Sequence, residues 1–326
     1  MNSQVQYFLA RFTGERRHVV EMWFGRAGRY LGMIREVLRS QGLPEDLAFT
    51  VMIESGFNPL AVSRAGAKGL WQFMASTARR YGLRVDQWVD ERFDPERSTV
   101  AAAAYLRDLY EQFGSWVLAQ AAYNAGEVKM ARAIRATRST DFWTIAGTGW
   151  LRRETREFVP QILAATMIGR EPSRYGFDVG ERPTIEYESL PVAPSTDFRR
   201  LSAATGIPTD TLRSLNPALI RSVTPPGSPY EIRIPGGSRA TVLAALAPPA
   251  RPAVARTSSH VVRASGGADI HVVRPRDTLS AIAKRYGVSV EDMVRWNGLE
   301  SQDRIRPGDR LRVADLRVSA ARDGVR

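Results

Sequence analysis

The 326-residue chain contains no cysteine, which excludes disulfides, cysteine nucleophiles, cysteine metal sites and a lipidated cysteine within it. It has three histidines, His18, His260 and His271, far apart and without metal-ligand spacing. Zinc catalysis and a serine–histidine–aspartate triad are therefore disfavoured, and no metal or other cofactor is expected. Only Lys68, Lys129 and Lys284 are lysines among 46 basic residues, so arginine carries the formal charge of +12. Acids interleave with the arginines, as in Arg107-Asp108, where a nucleic-acid footprint would form a stripe or tail. A solvated basic surface is the plain reading; as an attractant for an anionic polymer it suits an acidic cell-wall glycan as well as DNA, and no nucleic-acid partner is expected. No run of about 18 apolar residues exists, so no membrane-spanning segment is expected. Met1 to Arg17 lacks the apolar stretch of an export signal.

What is present divides into two textures. Residues 15–176 read as helices. Asp94-Pro95 is an N-cap followed by proline in the first turn, and that helix should stop at Gly114. A second should run from Ser115 to Gly126, and a third from Arg153 towards Ile168, kinked or broken at Pro160. Beyond Gly176, short β-branched runs appear among Pro, Thr and Ser. Residues 238–268, rich in Ala, Pro, Arg, Ser and Gly, have the composition of a linker. Residues 270–314 read as strand, helix, helix, strand, with Asp277 and Ser289 capping the two helices. A shift of 81 residues superposes Phe198 on Leu279, Asn216 on Asn297 and Pro226-Gly227 on Pro307-Gly308, with no gap from Phe198 to Ile232. Residues 184–236 are thus expected to be a divergent copy of the C-terminal unit.

The chemistry concentrates at Glu54. Pro44-Glu45-Asp46 starts a helix that is apolar on every side and ends at Gly56 and Pro59. Glu54 therefore sits in apolar surroundings at the negative end of a helix, and both influences disfavour its ionised form. A carboxyl protonated at neutral pH is what a general acid needs.

Around it occur, in order, Glu54-Ser55-Gly56-Phe57-Asn58-Pro59, Ser63, Gly69-Leu70-Trp71-Gln72-Phe73-Met74, Ala122-Tyr123-Asn124-Ala125-Gly126 and Glu154-Thr155-Arg156. The ordered set resembles the goose-lysozyme-like catalytic domain of lytic transglycosylases, and each motif alone is modest. The resemblance implies that Glu54 is catalytic acid and base. It implies that Ser63, Gln72 and Met74 line the groove, that Tyr123 helps hold Glu54, that Asn124 shapes the turn behind it, and that Glu154 contacts the sugar's N-acetyl side. Phe158 stands where the family more often has Tyr, and it is left out of the site. Residues 270–314 resemble a LysM module, through Asp277-Thr278-Leu279, Tyr286-Gly287-Val288, Trp296-Asn297 and Ile305-Arg306-Pro307-Gly308-Asp309. By that resemblance Asp277, Thr278, Leu279, Ile305 and Pro307 hold glycan. Arg276 replaces the usual glycine before the aspartate. The earlier copy lacks the Asp-Thr-Leu pattern, and weaker or no glycan binding is expected there.

The expected fold is α+β and multidomain. A mainly α-helical lysozyme-like domain (1–176) precedes a divergent LysM-like module (184–236), an Ala/Pro-rich linker (237–268), a LysM module (269–314) and a tail (315–326). The resemblance implies cleavage of peptidoglycan glycan strands at the bond from N-acetylmuramic acid to N-acetylglucosamine, forming 1,6-anhydromuramoyl ends. That substrate class places the protein in the cell envelope (periplasm), and a monomer is expected. A hydrolytic muramidase on the same fold and a non-catalytic wall-binding protein are the alternatives.

Overall fold

A computed structural model of the chain describes residues 2–178, 186–247, 270–299 and 305–313. The chain forms two compact units, 1–249 and 250–326. The first opens with helices α1 (Ser3–Thr13), α2 (Arg17–Ala27), α3 (Leu31–Ser40), α4 (Phe49–Ser55) and α5 (Ala75–Arg80). It continues through α6 (Pro95–Phe113), α7 (Trp116–Ala125), α8 (Glu127–Thr137), α9 (Phe142–Ala146) and α10 (Arg153–Arg170). Local signals set the ends of α6. The Asp94 carboxylate accepts from the Glu96 and Arg97 amides at 3.0 and 2.9 Å, Pro95 opens the first turn, and Gly114 closes the helix at φ +68°. α4 follows a 3-10 turn at Glu45–Ala48 and buries Phe49, Thr50, Val51 and Met52 against α7 and α10. A Cβ on Gly169 of α10 would lie 1.9 Å from the Phe49 ring, so glycine permits the close approach of α10 to α4. Of the kink or break expected at Pro160, the break does not occur: the helix is continuous from Arg153 to Arg170. Buried Phe158, Val159, Ile162, Ala165 and Ile168 anchor α10 on both sides of the proline, and that packing carries the helix past the missing amide.

The same unit contains β1 (Tyr187–Val192), α11 (Phe198–Thr205), α12 (Thr209–Leu215) and β2 (Tyr230–Pro235). The strands pair antiparallel, with Leu190 opposite Ile232. One further helix, α13 (Arg239–Leu246), lies inside the stretch expected to be linker, and its Val242 is fully buried against this small core. Composition was misleading because two apolar anchors in an Ala-rich helix, Val242 and Leu246, are enough when a neighbouring core receives them. The remainder of the expected linker, 248–268, and the tail lie outside the described residues.

The C-terminal unit has β3 (Ile270–Val272), α14 (Leu279–Tyr286), α15 (Val290–Asn297) and β4 (Arg310–Arg312), with β3 antiparallel to β4 and His271 opposite Leu311. Thr278, not Asp277, caps α14: its hydroxyl accepts from the Ala281 amide at 3.3 Å. Both residue types can cap, and Asp277 is turned instead to His271 and the Arg274 amide. The two copies share a device. The Asn216 side chain donates to the Leu212 and Arg233 carbonyls and accepts from the Arg233 amide; Asn297 does the same with Met293 and Arg312. These bonds match Arg233 to Arg312, two residues off the expected gapless alignment, because the turn into β2 is longer than the turn into β4.

Candidate active site

Glu54 ends α4, and the next residues fix its direction. Gly56 adopts φ +56° as the C-cap and returns its amide to the Met52 carbonyl at 3.1 Å. A Cβ there would lie 2.3 Å from the Trp23 indole, so the turn needs glycine for both conformation and space. The Ser55 hydroxyl donates to the Leu70 carbonyl at 2.8 Å and ties the end of α4 to Leu70-Trp71-Gln72. The Glu54 side chain is half-buried and retains a partial opening to solvent. Its carboxyl is nevertheless packed closely enough that burial, and then the nearby Glu154 carboxylate, raise its pKa from 4.5 to about 8. Among the described residues no hydrogen bond reaches that carboxyl to offset the burial.

The segment that Ser55 ties to α4 is a short folded ribbon in which Val62 bridges Lys68 and Lys68 bridges Phe73. Gln72 sits on it at φ +48°, its amide nitrogen donating to the Gly69 carbonyl at 2.9 Å and the Ala61 carbonyl at 3.2 Å. With both amide hydrogens engaged, Gln72 presents its carbonyl oxygen as an acceptor. Ser63 accepts from the Ala67 amide at 3.0 Å, which keeps its own hydroxyl proton available to a ligand. Met74 is 45% exposed at the rim and begins α5.

Tyr123, expected to hold Glu54, hydrogen-bonds elsewhere: its hydroxyl donates to the Trp71 carbonyl at 2.7 Å. Burial, then Glu54, then Tyr105 push its pKa well above 10.0, so it remains a neutral phenol. Tyr105 packs 5.2 Å from the Tyr123 ring and Phe73 6.2 Å, completing an apolar flank. Asn124 accepts from the Thr155 hydroxyl at 2.8 Å and joins α7 to the start of α10, where exposed Glu154 faces the groove acid electrostatically. The structure thus brings Tyr123 and Glu154 within electrostatic reach of Glu54, ties Asn124 to the start of α10, and sets Ser63, Gln72 and Met74 along the ribbon. Phe158 is buried in the core.

One support escaped sequence reasoning. Asp90 and Arg92, both nearly inaccessible, pair at 2.8 Å, and Lys68 adds a contact to Asp90 at 3.2 Å. Burial raises the Asp90 pKa, but Arg92 and Lys68 outweigh it and hold the carboxylate below its ordinary range. Arg92 also donates to the Gly66 and Phe73 carbonyls at 3.1 and 3.2 Å, bracing the ribbon from below. Two charged residues near the start of a helix carry no sequence signal for that role.

In the C-terminal unit Thr278 and Pro307 are exposed, and Ile305 is half-buried against the core. Leu279, expected to touch glycan, is a core residue 2% exposed. Asp277 accepts from the Arg274 amide and contacts His271 at 2.9 Å, and those contacts hold its carboxyl below the ordinary range. Arg276, in the usual glycine position, adopts φ +74°. No group of three His, Asp or Glu residues suited to a metal occurs among the described residues.

The transglycosylase SLT domain matches residues 32–146, the LysM-like domain of lytic transglycosylase MltD matches 186–250, and the LysM domain matches 271–314. The membrane-bound lytic murein transglycosylase D of Escherichia coli K12 is 32% identical over 300 residues, covering 88% of this chain and 64% of that protein. The chain thus spans less than two thirds of that relative's length. The membrane-bound lytic murein transglycosylase F of Maricaulis maris is 34% identical over 215 residues, covering 56% of this chain and 42% of its own. The 70 kDa soluble lytic transglycosylase of Escherichia coli is a solved structure with 25% identity and a TM-score of 0.39, covering 47% of this chain and 26% of that chain.

Proposed function

The chain joins a transglycosylase SLT domain to two LysM-type domains, and on that premise we propose that it is a peptidoglycan lytic transglycosylase. The observation that carries the reading is Glu54, a carboxyl whose pKa of about 8 keeps its proton at neutrality, within electrostatic reach of Glu154 and Tyr123. Glu54 protonates the glycosidic oxygen between N-acetylmuramic acid and N-acetylglucosamine, and the N-acetylglucosamine leaves with that proton. The acetamido oxygen of the muramic residue supports the positive charge developing at C1. The Glu54 carboxylate then removes the proton from the C6 hydroxyl, and O6 closes on C1. The acid regains its proton, and the product is a 1,6-anhydro end formed without water. Ordinary glycosidases flank the bond with two carboxyls that share this work. Glu154 is the neighbouring carboxylate here, and we assign it to holding the sugar and tuning Glu54. Ser63, Gln72 and Met74 line the groove.

Residues 1–176 constitute the catalytic domain in this proposal, and 269–314 a LysM anchor that meets glycan through Asp277, Thr278, Ile305 and Pro307. The earlier module acts as a brace. Its two loops are tied by the Phe198 amide donating to the Ser222 carbonyl and the Thr224 amide to the Thr196 carbonyl, both at 3.0 Å, and it lacks the Asp-Thr-Leu pattern. We place the protein in the cell envelope and take it to act as a monomer. No helix among the described residues is long and apolar enough to cross a membrane. The test is Glu54→Gln on purified sacculi. Clearing should fall by about 10³-fold, within the span of general-acid contributions, while sacculus binding persists. Clearing at the wild-type rate overturns the proposal.

A further inference from the structure

The brace encloses a space of its own. Between the helical domain and the first LysM-like module lies a cleft of about 670 Å³, within the range of small-ligand sites. None of Glu54, Gln72 or Tyr123 lines it. One wall is Arg26, Arg29 and the loop Phe57-Asn58-Pro59-Leu60; the other carries Arg213, Ile220 and Ser222. The loop follows Glu54 directly and leads to Ala61, whose carbonyl holds Gln72. The cleft therefore backs onto the segment that shapes the catalytic groove.

Its chemistry differs from that of the groove. Three guanidiniums face one carboxylate, Asp210, which is almost fully exposed and 3.8 Å from Arg213. Arg213 is oriented by donating to the Ser222 hydroxyl at 2.6 Å, and Arg26 by donating to the Gly56 carbonyl at 3.4 Å, at the cap of the catalytic helix. Each guanidinium has five N–H groups, so these contacts engage only part of its donor set. Leu60 and Ile220, 60% and 51% exposed, form apolar lips. Phe57 and Ser222, on opposite walls, both adopt left-handed backbone, at φ +56° and +55°, and strain of this kind collects at functional sites. The aromatic residues at the cleft, Phe57 and Tyr30, are buried and half-buried, which is a poor platform for a sugar ring.

We propose that this cleft binds a short peptide bearing several carboxylates, and that its occupant is the stem peptide carried by the muramic residues of the glycan being cut. The proposal rests on the peptidoglycan reading above, since that substrate brings carboxylate-rich, small-side-chain peptides next to the groove. Planar guanidinium donors match carboxylates, and the apolar lips match alanyl side chains.

The test titrates the full chain with the free tripeptide L-alanyl-γ-D-glutamyl-meso-diaminopimelate by calorimetry, beside the same peptide with its carboxyls amidated. The amidated form should bind on the order of tenfold more weakly, as loss of charge-assisted pairing predicts. Arg29→Gln and Arg213→Gln should each weaken the free peptide to a similar degree. Both variants should cut peptide-stripped glycan at the wild-type rate, yet show a raised KM on peptide-bearing glycan with kcat unchanged. Equal binding of the two peptides, unchanged binding by the variants, or displacement by inorganic phosphate at equal affinity overturns the proposal. Should Arg213→Gln fail to fold, Arg29→Gln and the amidated peptide still decide it. If neither glycan is cut, the enzymatic reading fails, while the peptide titration still reports on the cleft.

Discussion

A carboxyl that holds its proton to about pH 8 in the folded protein makes stability depend on pH in a definite direction. In the unfolded chain Glu54 ionises near 4.5. Below that value both states are protonated, and the stability associated with the neutral acid is fully present. As pH rises from 4.5 to about 8, the unfolded state loses its proton and the folded state keeps it, so this stability is lost progressively; above about 8 the loss is complete. Each pH unit in that window is worth about 1.4 kcal/mol, so the ceiling at pH 7 is about 3 kcal/mol. The carboxyl's opening to the groove reduces this to about 2 kcal/mol. Glu54→Gln, which resembles the protonated acid and does not titrate, should therefore be more stable than wild type at pH 7. For a unit of this size the gap corresponds to roughly 4–8 °C in Tm. The two proteins should converge at pH 4.5. Thermal unfolding of both, followed by near-ultraviolet circular dichroism from pH 4.5 to 8.5, reads the gap directly. A gap independent of pH, or a wild type that is the more stable at pH 7, refutes the burial of Glu54.

Asp94→Ala removes both the cap of α6 and the 2.8 Å pair with Arg233, a residue 16% exposed. The expected loss is about 3 kcal/mol in urea unfolding of the first unit; a loss below 1 kcal/mol would show that the seam is not held there. Arg276→Gly relieves a left-handed arginine at φ +74°, and should stabilise the C-terminal unit by about 0.5–1 kcal/mol, read as a later urea midpoint. Glu154→Gln removes the second cause of the raised Glu54 pKa, so the alkaline fall in cleavage should move to lower pH while desolvation still holds it above 4.5. An unmoved pH profile would separate the two carboxylates.

Much of this architecture was legible because its signals are local. Asp94-Pro95 and Gly114 mark α6 by hydrogen-bonding and backbone preference alone, and Gly56 marks the turn that aims Glu54. The neutral state of Glu54 followed from apolar neighbours at a helix C-terminus. The features that escaped are tertiary. Arg233 and Asp94 stand 139 residues apart, and nothing in either segment announces the other. Val89, from the loop before α6, is fully buried in the small module's core, and the Asp90 backbone amide donates to the Ala218 carbonyl at 2.9 Å. That docking makes one compact unit of what composition divides in two. Tyr123 could be placed beside the acid, but its hydrogen bond to Trp71 depends on where the ribbon folds back. Asp277 and Thr278 are adjacent residues equally able to cap, and only the position of His271 decides between them.

The central claim is that Glu54, a protonated acid working as both donor and acceptor, cuts the glycan without water. Digestion of purified sacculi in H₂¹⁸O, followed by mass spectrometry of the muropeptides, addresses it directly. The account predicts 1,6-anhydromuramoyl ends carrying no heavy oxygen, all of them absent with Glu54→Gln. Reducing ends labelled with ¹⁸O would show a water attacking C1 and would contradict it.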